Sequence, residues 1–244
     1  MFHKIRLPLL AAFLSATLAS GAQITLSNVT VAVGLDSSPL QALPSFVDNG
    51  DETFSSTGSW NSANWNFSWD MTVKPDPFID AVFGFKNNTA FTQTFVVSVL
   101  LPVAPAQIPL TKVGGSVGLT LTDSNFSGFA EVTDAGDGVY FGQNDGVNTL
   151  ELLDNPFSLT VNTAGATSVT SDFAGLPGPS ILAPAAASTI GIVHRFKLTP
   201  GDSVAFTSFY IVEAVPEAST LLLVGIASIA GGMFSVARRA KISR

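Results

Sequence analysis

From Ala63 to Lys74 the chain alternates without a break. Ala63, Trp65, Phe67, Trp69, Met71 and Val73 take turns with Asn64, Asn66, Ser68, Asp70, Thr72 and Lys74. Side chains of an extended strand point to opposite faces with a period of two, so this run buries one face and wets the other. Wound as a helix at about 100° per residue, the same apolar residues would scatter around the whole circumference. The period recurs at Phe91, Phe95, Val97, Val99 and Leu101, and at Val117, Leu119 and Leu121. Ile190, Ile192, His194, Phe196 and Leu198 form another set, and Val204, Phe206, Ser208, Tyr210 and Val212 the last. Turn-forming residues separate the sets: Asp48-Asn49-Gly50-Asp51, Lys74-Pro75-Asp76-Pro77, Asn87-Asn88, Gly114-Gly115, Gly136-Asp137-Gly138 and Pro200-Gly201-Asp202. The sequence therefore predicts an all-β fold: an antiparallel β-sandwich, with a jelly-roll-like strand order as one arrangement open to it. The Pro- and Ala-rich stretch from Gly175 to Ala187 reads as a loop or an extended crossing.

The two ends do not share this pattern. Lys4 and Arg6 precede an apolar run from Leu7 to Leu18, and Ser20-Gly21-Ala22 supplies small residues. That is the layout of a signal peptide over residues 1–22, cleaved between Ala22 and Gln23. It implies passage through the Sec translocon and contact with signal peptidase. At the other end Ala218 to Ala237 carries no charge. As a helix it spans about 30 Å, the thickness of a bilayer core, so 218–237 predicts a transmembrane helix. Arg238, Arg239 and Lys241 follow in the basic tail 238–244 and place the C-terminus in the cytoplasm by the positive-inside rule. The exported β-sandwich domain then runs over 23–214, and the protein is tied to the inner membrane before any further processing.

Charge and cysteine content narrow the partners. Of 11 Lys and Arg, six (Lys4, Arg6, Arg238, Arg239, Lys241 and Arg244) lie in the end segments, which leaves five against 18 acidic residues and a formal charge of −13 for residues 23–217. Such a body repels polyanions, so nucleic acid is not an expected partner. The chain has no cysteine, which removes disulfides, thiolate metal sites and cysteine nucleophiles.

Directly before the apolar tail stand Val215, Pro216, Glu217, Ala218 and Ser219. A proline–acid motif, a hydrophobic helix and an arginine cluster together resemble the PEP-CTERM sorting signal of Gram-negative bacteria, here over residues 215–244. Pro216 and Glu217 match its pattern, and Ala218 stands where a second proline is usual. The resemblance implies recognition by an exosortase, removal of the helix and delivery to the outer surface or extracellular matrix. It also implies a producer of exopolysaccharide and biofilm. A plain inner-membrane anchor holding a periplasmic domain is the alternative use of the same tail.

Catalytic signals are sparse. His194 is the single histidine beyond the signal peptide and falls in phase with core positions, so it reads as a buried strand residue. No Gly-x-Ser-x-Gly elbow accompanies it. Asp134, Asp137 and Asp145 lie in glycine-broken loops and could offer oxygens to Ca2+, although they also suit hairpin turns. No other cofactor is implied. Trp65 and Trp69 share the apolar face of one strand and belong to the core, whereas Trp60 lies outside that run and is the candidate platform for a sugar ring. Asn28, Asn66, Asn87 and Asn125 open N-x-Ser/Thr triplets that reflect an Asn- and Ser/Thr-rich composition. Together these signals read as a non-enzymatic, exported surface or matrix protein with a structural or adhesive role. A carbohydrate-binding module or hydrolase on the same sandwich is the alternative.

Overall fold

A computed structural model describes residues 30–35, 41–42 and 46–215, with side chains from Phe46 onward. The predicted signal peptide, transmembrane helix and basic cluster lie outside the described residues. So do Pro216, Glu217, Ala218 and Ser219.

Among the described residues there are strands and no helix: β1 Thr30–Leu35, β2 Gln41–Ala42, β3 Val47–Asp48, β4 Phe54–Asn61, β5 Trp65–Lys74, β6 Phe78–Asn87, β7 Gln93–Pro102 and β8 Gln107–Thr122. They continue with β9 Ala130–Asp134, β10 Tyr140–Asn144, β11 Val147–Leu152, β12 Ser158–Val161, β13 Thr167–Ala174, β14 Ile181–Ala186, β15 Thr189–Leu198 and β16 Ser203–Ala214. They build two 8-stranded antiparallel sheets. The first runs β11-β10-β15-β7-β1-β2, with β9 pairing β15 and β12. The second runs β13-β8-β16-β6-β5-β4-β3, with β14 also on β8. The inner faces of both contribute to one continuous apolar cluster, the layered arrangement of a β-sandwich.

The alternation read from the sequence is the alternation of burial. Trp65, Phe67, Trp69, Met71 and Val73 of β5 are buried. They meet Phe83 and Phe85 of β6, Phe95 of β7, Phe196 of β15 and Phe206 of β16. The rings pack at centroid spacings of 4.8 Å (Phe67–Phe85), 5.1 Å (Phe85–Phe196) and 5.5 Å (Phe95–Phe196). Pairs at such distances contribute about 0.5–1.5 kcal/mol each beyond area burial.

A polar staple joins the sheets. The Tyr210 hydroxyl of β16 donates to Asn144 Oδ1 of β10 at 2.8 Å. Asn144 Nδ2 donates to Thr111 Oγ1 at 3.0 Å and to the Pro184 carbonyl at 2.9 Å. Gly142 makes room for it: a Cβ there would collide with the Tyr210 ring.

Three expectations are corrected. Gly114 and Gly115 form no turn but lie inside β8. Their lack of a side chain serves close approach, since a Cβ on Gly115 would stand 2.7 Å from Leu150 Cδ2, and one on Gly114 would collide with the Gly175 carbonyl. Phe91 precedes β7 and lies in an exposed loop. The stretch 175–187 contains a genuine strand, β14, added along the first half of β8.

His194 is fully buried, in line with its phase. Its Nε2 is 2.8 Å from Ser208 Oγ, and Phe83, Tyr140 and Phe206 surround the ring. Nδ1 lacks a partner of good geometry. Burial lowers the imidazole pKa to about 3, which the Val139 carbonyl offsets only in part. The unfolded chain takes up a proton near pH 6.5 and the folded one does not, so stability is lost as pH falls from that point toward 3. Urea unfolding between pH 7.5 and 4 is expected to show a decline approaching about 1.4 kcal/mol per pH unit below pH 6. His194→Gln, less stable at pH 7.5, is expected to lack that component. An equal slope in both proteins would exclude the imidazole as its source.

Candidate functional site

Once the inner residues of the second sheet are fixed, the alternate residues must face outward. Antiparallel register aligns them into rows running across the strands. Asn61, Asn66, Lys86, Ser203, Thr122 and Thr167 form one row across β4, β5, β6, β16, β8 and β13. Ser59, Ser68, Gly84, Ala205, Thr120 and Val169 form the next. Then come Thr57, Asp70, Val82, Thr207, Gly118 and Ser171, and after them Ser55, Thr72, Asp80, Phe209, Ser116 and Phe173. Six strands at about 4.8 Å spacing make this face roughly 24 Å wide.

Small side chains in the first two rows leave a shallow depression of about 330 Å3 between Asn61, Asn66, Ser68, Lys86, Thr120 and Ser203. Gly84 and Ala205 form its floor, and Lys86 is the cation that lines it. Farther along, the surface turns aromatic. Phe78 and Phe209 stand side by side, ring centroids 6.1 Å apart. Phe173, 68% exposed, shares the row of Phe209 with Ser116 between them. The face thus offers hydroxyl and amide groups at one end and flat phenyl surface at the other.

One carboxyl on this face is perturbed. Asp80 sits opposite Phe209. Burial by its neighbours raises its pKa, and the Asp70 charge raises it further. Asp70 pairs with Val82 and Asp80 with Thr72, so the two acids are diagonal neighbours on adjacent strands. An Asp whose folded pKa lies above its unfolded value loses stability as pH rises through that interval. Asp80→Asn is therefore expected to raise the melting temperature at pH 7 and to leave it unchanged near pH 3. A lower melting temperature at pH 7 would show that the charged form is favoured where it sits.

The residues singled out from sequence fall elsewhere. Trp60 is half-buried at the edge of the core, edge-on to Trp65 at 5.8 Å. Trp69 is buried, its indole N–H donating to Ser56 Oγ at 3.0 Å. Asp134, Asp137 and Asp145 are not brought together, and among the described residues no group of three or more His, Asp or Glu is arranged to hold a metal. Asp134 instead accepts the Gly136 and Phe157 amides, each at 2.7 Å. Asp137 is 3.3 Å from an Arg195 guanidinium nitrogen. Asp145 and Gly146, both at positive φ, make the two-residue turn between β10 and β11. The Asp145 carboxylate accepts the amides of Ala187, Ser188 and Thr189 at 2.8 Å each. Burial opposes its charge, and these three donors outweigh it and hold its pKa below the ordinary value. Of the tail motif, Val215 is described, its N–H donating to the Leu110 carbonyl at 2.9 Å.

Phe78, Phe173 and Phe209 do not stand out in the sequence, yet its phase contains part of the signal. In β16 the buried positions are Val204, Phe206, Ser208, Tyr210 and Val212, so Phe209 must face outward.

No protein-family model matches the chain, and no curated protein matches it. Among solved structures, TmCBM61 in complex with β-1,4-galactotriose is similar at 14% identity, over 62% of this chain and 88% of that chain, with a TM-score of 0.26. A likeness that slight carries no argument about function.

Proposed function

We propose that this is a non-catalytic, exported protein that associates with an uncharged polysaccharide through the outer face of its second sheet. The observation that supports it is the juxtaposition on one open face of a hydroxyl- and amide-lined trough with the exposed ring of Phe173 and the half-buried, outward-facing rings of Phe209 and Phe78. Phenyl faces stack on the C–H faces of sugar rings, while hydroxyl and amide groups exchange hydrogen bonds with sugar hydroxyls. The strongly acidic body argues for a neutral polymer over an anionic one.

Delivery is assigned to the tail by the exosortase route: Val215 to Ser219 as the sorting motif, the helix 218–237 as a transient inner-membrane anchor, and release to the outer surface or matrix. The role of the released protein is structural or adhesive, beside exopolysaccharide.

Two experiments separate the parts. In native gels carrying dextran, galactomannan or hydroxyethylcellulose, the full-length protein in mild detergent is expected to be retarded by at least one polymer. Ala205→Glu, which puts a carboxylate on the trough floor, and Phe173→Ala are each expected to weaken that retardation about 5-fold or more. Losing about 40 Å2 of apolar contact costs about 1 kcal/mol, a factor of about 5. Unretarded wild-type protein on every polymer would sink the binding reading. For the tail, intact mass and membrane partitioning of Pro216→Ala/Glu217→Ala in the native host are expected to show an uncut, membrane-bound protein. Normal processing of that double variant would remove the sorting role from these residues.

A second reading, a hydrolase, draws on Asp70 and Asp80, a carboxyl pair in which one member has a raised pKa. Glycan cleavage by the wild-type protein that disappears in both Asp70→Asn and Asp80→Asn would favour it.

A further inference from the structure

The strand directions sort the loops into two ends. β16 runs from Ser203 to Ala214 and delivers Val215 to the end that carries the 49–53 and 75–77 loops. That end is acidic: Asp48, Asp51, Glu52, Asp76, Asp145 and Glu213 are exposed there, and the Lys74–Glu52 pair at 3.1 Å is the ion pair resolved among them. The opposite end gathers the loops 62–64, 88–92, 123–129, 162–166 and 199–202. The only titratable residues in these loops are Asp123 and Asp202, and both are fully buried. The loops display no charge. They display phenyl rings instead: Phe126 is 73% exposed, Phe91 69% and Phe129 46%.

Buried polar side chains hold those rings in place. Asp123 accepts the amides of Ser127 at 3.1 Å, Gly128 at 2.8 Å and, from the neighbouring loop, Gly165 at 3.3 Å. Phe126 is held at φ +59°, and its ring lies over Gly165. Asn87, also fully buried, donates to the carbonyls of Phe91 at 2.8 Å and Leu198 at 3.0 Å, and its Oδ1 accepts the Thr89 amide at 2.9 Å. Asn125 Nδ2 donates to the Pro200 carbonyl at 2.6 Å. Four loops are thus cross-linked, chiefly through side chains that never reach solvent.

We infer that these charge-free loops are a second contact surface for the same uncharged polysaccharide, with Phe126 and Phe91 as stacking platforms beyond the trough. The inference rests on the polysaccharide reading of the outer face. Three observations choose the occupant. The surface is continuous with the trough: Ser124 of the Phe126 loop shares a hydrogen bond with Ser203, which lines the depression. The carboxylates of its loops, Asp123 and Asp202, are turned inward, so the loops present no charge to attract a cationic chain and leave uncharged contacts to choose the partner. Its exposed polar groups are the amides of Asn64, Asn88, Asn125 and Asn162 and neighbouring hydroxyls, matched to sugar hydroxyls. It also lies opposite Val215, so a domain held by its tail presents this end outward.

The test uses full-length protein carrying 4-fluorophenylalanine, with the Phe126, Phe91 and Phe209 resonances assigned by their loss in Phe126→Leu, Phe91→Leu and Phe209→Leu. With the polymer that retards the wild-type protein, both resonances are expected to shift. Phe126→Ala is expected to weaken retardation by long chains about 5-fold or more, and to leave binding of a disaccharide of the same sugar unchanged. Two outcomes overturn the inference: unshifted Phe126 and Phe91 signals at polymer concentrations that shift Phe209, and undiminished retardation of Phe126→Ala alongside weakened Ala205→Glu. Either would leave the trough reading standing. A Phe126 signal that moves with added phosphatidylcholine bicelles and not with polymer would likewise overturn it, in favour of a lipid contact. A wild-type protein that no polymer retards and whose fluorine signals stay fixed would overturn both.

Discussion

The aromatic layer between the two sheets sets the phase of every strand that enters it. Phe67, Phe83, Phe85, Phe95, Phe196 and Phe206 interlock at ring spacings near 5–6 Å. A slip of one residue in any of these strands would send its rings to solvent and bring polar or charged residues inward, Asp80 in β6 and Arg195 and Lys197 in β15 among them. Burial of that much ring surface makes the slip costly, so the register is locked. Because it is locked, the outer face is locked too. The polar rows, the trough and the outward Phe209 follow from the same choice that buries Phe206 and Tyr210.

Polar groups within this core are arranged by the same constraint. Tyr210, Asn144 and Thr111 satisfy one another across the sheets, so their burial costs little and fixes how β10 meets β8 and β16. His194 is the less settled member. It has one firm partner, Ser208, and a strongly depressed pKa, and it is neutral wherever the protein is folded near neutral pH. Neither ring nitrogen reaches solvent, which removes it from any general-base role despite the adjacent serine hydroxyl.

The molecule is polarised along its strands. Acidic turns cluster where the chain leads toward its tail, and uncharged phenylalanine-bearing loops cluster at the far end. Buried Asp123 and Asn87 connect those far loops to the framework, so their rings are presented by a braced surface. The exposed acids of the turns lie near the tail, and the far loops display no charge.

The period-two pattern determined the fold class, the buried face of β5, β15 and β16, and the burial of His194, because those depend only on which residues alternate. The phase also held the outward direction of Phe209, one residue out of step with its buried neighbours. What the pattern could not supply was adjacency. Gly114 and Gly115 look like a turn in isolation and are strand residues only because Leu150, Tyr140 and Gly175 press against them. Phe91 fits a strand period and is a loop residue because Asn87 ends β6 by capping the loop that carries it. Asp134 and Asp137 share the β9–β10 connection while Asp145 sits in the β10–β11 turn, and each carboxylate is committed to different partners. The rows that form the trough draw on β4, β5, β6, β16, β8 and β13, and pairing across such long intervals is decided by tertiary packing, where each strand's apolar face finds the partner that completes the core.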